Sequence, residues 1–284
     1  VLTTDGFDGD FLQESFFQSI HSAQRRVDRY AAQGTPSVTD LTELKHSAVK
    51  VAGGFGPIRY EPSQLTWLQR PTQQGIEVAS RNFAEAMMQD QLNTAILSLV
   101  TAIGNQAAAT NDVSGGATIT YGAINSAHGK FGDHSGNIVA QVMSGSMFHK
   151  LIGQNLTNTN RLFESNSVNV VDILGKAVIV TDAPALTVAS PAYDKVLSLT
   201  TGAATVFDGS DVISNIETVN GKTRIETTMQ VDYSFGLSLR GYTWDVGNGG
   251  KSPDDSDLAT GDYWDLVAST IKHTAGVLTI GDQS

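Results

Sequence analysis

The segment Gly75-Ile-Glu-Val-Ala-Ser-Arg-Asn-Phe-Ala-Glu-Ala-Met-Met-Gln-Asp-Gln-Leu-Asn-Thr-Ala-Ile-Leu-Ser-Leu-Val-Thr-Ala-Ile103 carries a drifting apolar stripe. Ile76, Ala79, Phe83, Ala86, Met87, Leu92, Ala95, Ile96, Leu99 and Ile103 recur at a period of 3.6 residues. No Pro or Gly interrupts the pattern before Gly104. The spacing predicts a helix over 75–109, and about 30 helical residues at about 1.5 Å each would run on the order of 45 Å. The usual mean is about 11–12 residues. A rod of that length suits the spine of an elongated plate better than the interior of a compact enzyme.

Upstream of this rod, His46 to Val51 and Gln64 to Leu68 are strand-like runs, separated by Gly53-Gly-Phe-Gly-Pro57 and closed by Pro71. They predict a hairpin with an irregular tip. A free hairpin edge is a liability that another chain would relieve. Further back, Phe16, Ile20, Val27 and Tyr30 predict an amphipathic helix over 7–34, with Arg25, Arg26 and Arg29 near its C-terminal end, where cations complement the helix dipole.

Downstream, Gly115-Gly116 marks a break and Thr118 to Gly136 reads as turn-rich. A second helix is predicted from about Asn137 to Leu151. The pattern then turns to strands: a hairpin of 169–174 with 177–180, then 196–199, 203–207, a long alternating run over 223–241, and a terminal strand at 277–280. Residues 245–262 read as a Gly- and Asp-rich loop. Helices and strands are mixed without regular βαβ alternation, so the class is α+β.

Composition narrows the function. The chain of 284 residues carries 18 Lys and Arg against 29 Asp and Glu, a formal net charge of −11. Binding by phosphate contacts needs clustered cations, so this balance counts against nucleic-acid gripping. Charged residues make up 17%, against about 25% in a typical soluble domain. Interface cores are depleted in charge, so a surface covered by neighbours fits; a bland acidic enzyme also fits. There is no Cys, which removes disulfides, thiolate metal sites and Cys nucleophiles. No apolar run reaches the roughly 18 residues of a membrane helix, and no signal peptide is visible at the start.

Candidate chemistry is thin. Asp245-Val-Gly-Asn-Gly-Gly-Lys-Ser252 approaches a phosphate-binding loop, but Asp245 stands where Gly is needed and Pro253-Asp-Asp-Ser-Asp257 follows in place of a helix. His128, Asp133 and His134 lack a ligand register. Asp5, Asp8 and Asp10 lack the spacing of a calcium loop. Ser144-Gly145-Ser146 falls within the second predicted helix and is no nucleophile elbow. Trp244-Asp245 and Trp264-Asp265 are too close together for propeller blades. No catalytic residue, metal or cofactor is assigned.

The order of parts resembles the major capsid protein of tailed bacteriophages with the Hong Kong 97-like coat fold. The residues that carry this run from Trp67-Leu-Gln-Arg-Pro-Thr-Gln-Gln-Gly-Ile-Glu77 into Ala84-Glu-Ala-Met-Met-Gln-Asp-Gln-Leu-Asn-Thr-Ala-Ile96. Phe131 to Leu151, Asp172 to Pro184 and Lys272-His-Thr-Ala-Gly-Val-Leu278 add to it. The likeness spans most of residues 40–280 and rests on the order of the motifs rather than on any one.

The resemblance implies an N-terminal arm (1–40), an extended hairpin or E-loop (41–72), a peripheral domain with the spine helix (73–119), an axial domain (120–222) and a return to the peripheral domain (223–284). It implies pentamers and hexamers of identical subunits, forming a virion shell around double-stranded DNA. That shell would be assembled in the bacterial host cytoplasm with a portal protein and a scaffolding protein, and without a membrane. The long cleavable scaffolding segment of some relatives is not expected within these residues: either it was removed, or scaffolding is a separate protein. The expected assembly contacts are Arg25, Arg26 and Arg29 on the arm, with Ile58, Arg59, Tyr60, Trp67 and Arg70 on the hairpin, since Trp, Tyr and Arg often anchor interfaces. Deleting 50–62 is expected to spare folding and abolish shells. The alternatives are an encapsulin-like cellular shell and an unrelated acidic α+β enzyme using the carboxylates of 254–262.

Overall fold

A computed structural model describes residues 12–17, 26–35, 38, 40, 43–61, 63, 72–157, 175–209, 211–221 and 223–283. The apolar stripe forms helix α1, Thr72–Gly104, whose 33 residues span about 50 Å. Of its last ten residues before Gly104, all but Leu97 and Thr101 are buried. Between residues 77 and 92 most of the described side chains are exposed, including Val78, Met88 and Leu92.

Two sheets flank the buried half of α1. The first is built of β1 (Leu12–Phe17), β2 (Glu43–Tyr60), β10 (Glu226–Leu239), β11 (Tyr242–Trp244) and β12 (Trp264–Leu266). β8 (Ala204–Asp208) and β9 (Ile213–Val219) also pair with β10. The second runs β3 (Thr110–Asp112), β13 (Gly276–Asp282), β7 (Ala192–Thr200), β4 (Ile138–Met143) and β5 (Ala177–Val180), with β6 (Thr187–Ala189) paired to β7. Helices α2 (Tyr121–Gly129) and α3 (Gly145–Thr157) belong with this second sheet. Short helices α4 (Val246–Gly249) and α5 (Asp255–Leu258) precede β12.

The middle of the second sheet, where β4 meets β7, is covered on both faces. Met143 and Val196 pack with Ile124 of α2 and with Met147 and Leu151 of α3. Their neighbours Val142 and Leu197 point the other way, into the core that holds Ile96, Leu99 and Ile103 of α1. Strands buried on both faces need no apolar-polar alternation. This is why residues 137–143 did not read as a strand, and the helix predicted from Asn137 is corrected here: β4 comes first and α3 starts after Ser144. The Ser144 hydroxyl accepts from the Met147 amide at 3.2 Å, so Ser144-Gly145-Ser146 is a helix start rather than a helix interior. The turn-rich stretch holds α2, capped by Thr120, whose hydroxyl accepts from Ala123 N at 3.1 Å.

Three further expectations change. The helix predicted over 7–34 is absent from the described part of that range: 12–17 is β1, antiparallel to 43–48 of β2, and 26–35 is exposed non-helical chain. Backbone pairing with a long strand has overridden a weak helical periodicity. The hairpin tip predicted at 53–57 is not a turn, because β2 runs unbroken from 43 to 60 and its partner is β10. Residues 64–68 and 169–174 lie outside the described residues; β5 pairs in parallel with β4. The strands expected at 196–199 and 277–280 fall within β7 and β13, while those expected at 203–207 and 223–241 overlap β8 and β10 but overrun their ends. Sheet membership cuts across the division at residue 222, since β8 and β9 join the first sheet and β13 lies inside the second.

One core spans both sheets. It joins Val49, Phe235, Leu237, Tyr242, Trp244 and Trp264 of the first to Val142, Leu197 and Leu278 of the second, around α1.

Candidate assembly interface

Beyond Tyr233, β10 leaves the core and carries β2 on one edge and β9 on the other, as a three-stranded ribbon. Its base is fixed to α1. Tyr233 donates to Asp90 Oδ2 at 2.7 Å, and burial together with the Asp90 charge raises the phenol's pKa well above its ordinary value. Phe83 of α1 packs against both Phe55 and Tyr233, with ring centroids 5.6 and 5.9 Å apart. Gly53 lies opposite Tyr233, and a Cβ there would come within 2.7 Å of the phenol ring, so the strand needs Gly at this crossing.

A bulge then sets the ribbon's faces. Phe55 is opposite Val231 and Ile58 is opposite Met229, so Gly56 and Pro57 together face Gln230. Two residues against one shift the alternation of β2 by one position. Without the extra residue, Ile58 would turn to the opposite face. With it, Ile58, Met229 and Ile216 form one apolar row across three strands. Gly56 sits at φ +103°, and a Cβ there would meet Met229 O at 2.7 Å. Proline is tolerated in sheets at such bulges.

The other face is polar. Arg59, Thr228 and Glu217 are aligned across it, and Arg59 Nη1 donates to Glu226 Oε2 at 3.5 Å. The ribbon's ends are pinned. Asp211 accepts from Ser234 N at 3.0 Å and from its hydroxyl, and pairs with Lys50 at 3.7 Å; these contacts hold its carboxyl below the usual range. Arg224 pairs with Glu61 at 2.5 Å across the far end.

The expected contact residues therefore distribute unevenly. Ile58 (36% exposed) and the largely exposed Arg59 sit together near the ribbon's end. Tyr60 is opposite Thr227 on the same strand. Arg26 and Arg29 lie on the exposed chain before the ribbon. Arg25, Trp67 and Arg70 lie outside the described residues. Sequence reasoning missed β9, with Ile213 (68% exposed) and Ile216 (50% exposed). Its apolar residues Ile213, Ile216 and Val219 are three apart rather than two, which hides a strand.

The segments that suggested chemistry are accounted for by packing. Asp245 caps α4 by accepting from Gly247 N at 2.8 Å, and Gly249 fits against the Trp244 ring. The Trp244 indole donates to Gly250 O at 2.9 Å and its ring meets that of Trp264 edge-on at 4.9 Å. Asp254 and Asp257 form a capping box on α5. His128 is buried with Nε2 3.0 Å from the Ser198 hydroxyl, while His134 stacks edge-on with His273 at 5.3 Å. Among the described residues, no group of three or more His, Asp or Glu is placed to hold a metal ion. No described helix is long and apolar enough to cross a membrane.

The fold is shared with chains in solved structures of several phages. A chain of Mycobacterium phage Bobi superposes with a TM-score of 0.59 at 13% identity, covering 100% of this chain and 89% of that one. Microbacterium phage Oxtober96 gives 0.57 at 12% identity, covering 99% and 88%. The Cyanophage Pam1 capsid asymmetric unit gives 0.55 at 12% identity, covering 97% and 85%. No curated protein sequence matches the chain. Residues 1–278 match the model of the Gp13-like family, described as major capsid protein 13-like, and the chain belongs to that family of structural head subunits of tailed phages.

Proposed function

We propose that this capsid subunit forms pentamers and hexamers that close into an icosahedral head around double-stranded DNA, and that it performs no catalysis. The observation that carries this reading is the pair of uncovered extensions, the ribbon and the part of α1 before residue 94, which expose Ile58, Ile213, Ile216, Val78, Met88 and Leu92 on one chain. Burying such surface against copies of itself is how a shell gains its strength, through many modest interfaces that close together. The net charge of −11 suits a wall that confines DNA rather than grips it.

The parts follow the coat fold. Residues 1–40 act as an arm. The hairpin assigned to 41–72 contributes β2 to the ribbon, which reaches over an adjacent subunit with Ile58, Arg59, Tyr60, Trp67 and Arg70, while Arg25, Arg26 and Arg29 hold the arm to a neighbour. Residues 73–119 with the long helix, together with 223–284, form the peripheral part, and residues 120–222 form the axial part at capsomer centres. A portal protein and a scaffolding protein complete assembly in the host cytoplasm, with no membrane involved.

Negative-stain imaging of the purified chain, alone and with co-expressed scaffolding protein, tests this. Closed shells are the expected result. A monomer under every assembly condition would overturn the reading, and shells packed with an enzyme cargo rather than DNA would favour a cellular compartment instead.

A further inference from the structure

The outer edge of β9 makes no strand pairing among the described residues, because its one partner strand is β10. Its residues Ile213-Ser-Asn-Ile-Glu-Thr-Val219 are exposed on both faces except for the half-buried Val219. Natural edge strands are blunted by Lys, Pro, bulges or brevity. β9 is seven residues long, has no Pro and no Lys, and carries the single charge of Glu217. An edge like this is a template for another strand.

The strand is also complementary to itself. Laid antiparallel about Ile216, it places Ile216 opposite the partner copy's equivalent residue, Ile213 opposite the equivalent of Val219, Ser214 opposite that of Thr218, and Asn215 opposite that of Glu217. No like charges meet, and apolar faces apolar at both ends and in the middle. The row Ile58–Met229–Ile216 then runs on through its mirror image, giving six apolar side chains across a continuous six-stranded ribbon. Only a second copy of this chain supplies that mirrored row.

We propose that β9 pairs with β9 of a neighbouring subunit across a local two-fold axis, in antiparallel register centred on Ile216. This rests on the reading of the chain as a self-assembling coat subunit and names one of its contacts.

The absence of Cys from the chain gives a clean test. In this register the two Cα atoms of residue 216 lie about 4.5–5.5 Å apart, within the usual span of a disulfide, about 4.4–6.8 Å. Ile216→Cys should therefore yield disulfide-linked dimers in assembled shells under mild oxidation, read on a non-reducing gel. Ser214→Cys alone should link at least tenfold less, and Ser214→Cys combined with Thr218→Cys should link strongly. Within one chain those two positions are about 13 Å apart along the strand, too far to close on each other. The double variant leaves Ile216 in place, so it decides the matter if Ile216→Cys fails to assemble. Shells that form normally but link no better through 216, or through the 214/218 pair, than through 214 alone would overturn the two-fold pairing while leaving the coat reading intact. Failure of the parent chain to form shells would overturn both.

Discussion

Replacing Ile58 and Ile216 together by Asp removes both ends of the apolar row while leaving the core alone. Ile58 is 36% exposed and Ile216 50% exposed in the isolated chain. Full burial of an Ile contributes about 1.5–3 kcal/mol. Covering the exposed fractions on assembly would therefore contribute about 2 kcal/mol per subunit. At about 1.4 kcal/mol per tenfold in concentration, the double variant should raise the critical concentration for shell formation by at least tenfold. Burying new carboxylates would push it higher. Light scattering against protein concentration reads the threshold, and circular dichroism of the unassembled subunit should match the parent. The Ser pair at the same positions controls for charge and should show a smaller shift, unchanged by salt. Assembly of the Asp pair at the parent's threshold, with native spectra, would refute the argument that this row is covered in the shell.

Other consequences are equally concrete. Lys150 Nζ lies 2.7 Å from Asp194 Oδ2 and 2.6 Å from the Gln283 carbonyl, and Asp194 is 1% exposed; Lys150→Met should cost about 3 kcal/mol in a denaturant titration of the unassembled subunit, with partial recovery when Asp194→Asn is added. Gly56→Val should lower stability by about 1–3 kcal/mol, because a side chain at φ +103° also meets the Met229 carbonyl. Burial, helped by nearby Lys176, holds the His128 pKa below 6.5. The unfolded chain then binds the proton more readily, so this contribution is present above pH 6.5 and is lost as pH falls towards the folded-state pKa. His128→Gln should flatten that part of the stability profile, measured between pH 7 and about 5. Deleting 50–62 should abolish folding as well as shells, since Val51 is buried opposite Phe235; a folded, soluble deletion protein would contradict the core assignment.

The long helix and β10 were legible because each has one buried face over many residues, so its period survives in the sequence. β10 keeps Val231, Tyr233, Phe235, Leu237 and Leu239 on that face. β4 lost its period because α1 covers one side of its sheet and α2 with α3 the other. β2 misled differently: Gly53-Gly-Phe-Gly-Pro57 reads as a turn, yet one Gly makes room for Tyr233 and another forms a bulge. Both are tertiary needs that local propensity does not encode. Of the proposed contact residues, Ile58 and Arg59 read in the sequence as part of a hairpin tip, whereas the structure places them on β2. β9 was not legible, because a strand exposed on both faces has no core to impose alternation.

The shared core has a mechanical consequence. Both sheets are packed onto the same stretch of α1, Ala95 to Ile103, so neither can rotate against the other without opening a close-packed interior. A change in shell curvature must be absorbed elsewhere, in the ribbon and the front half of the helix, where fewer side chains are locked. The subunit is a stiff block bearing two compliant struts. The joint of Phe55, Phe83, Tyr233 and Asp90 lies where those struts meet and ties one to the other.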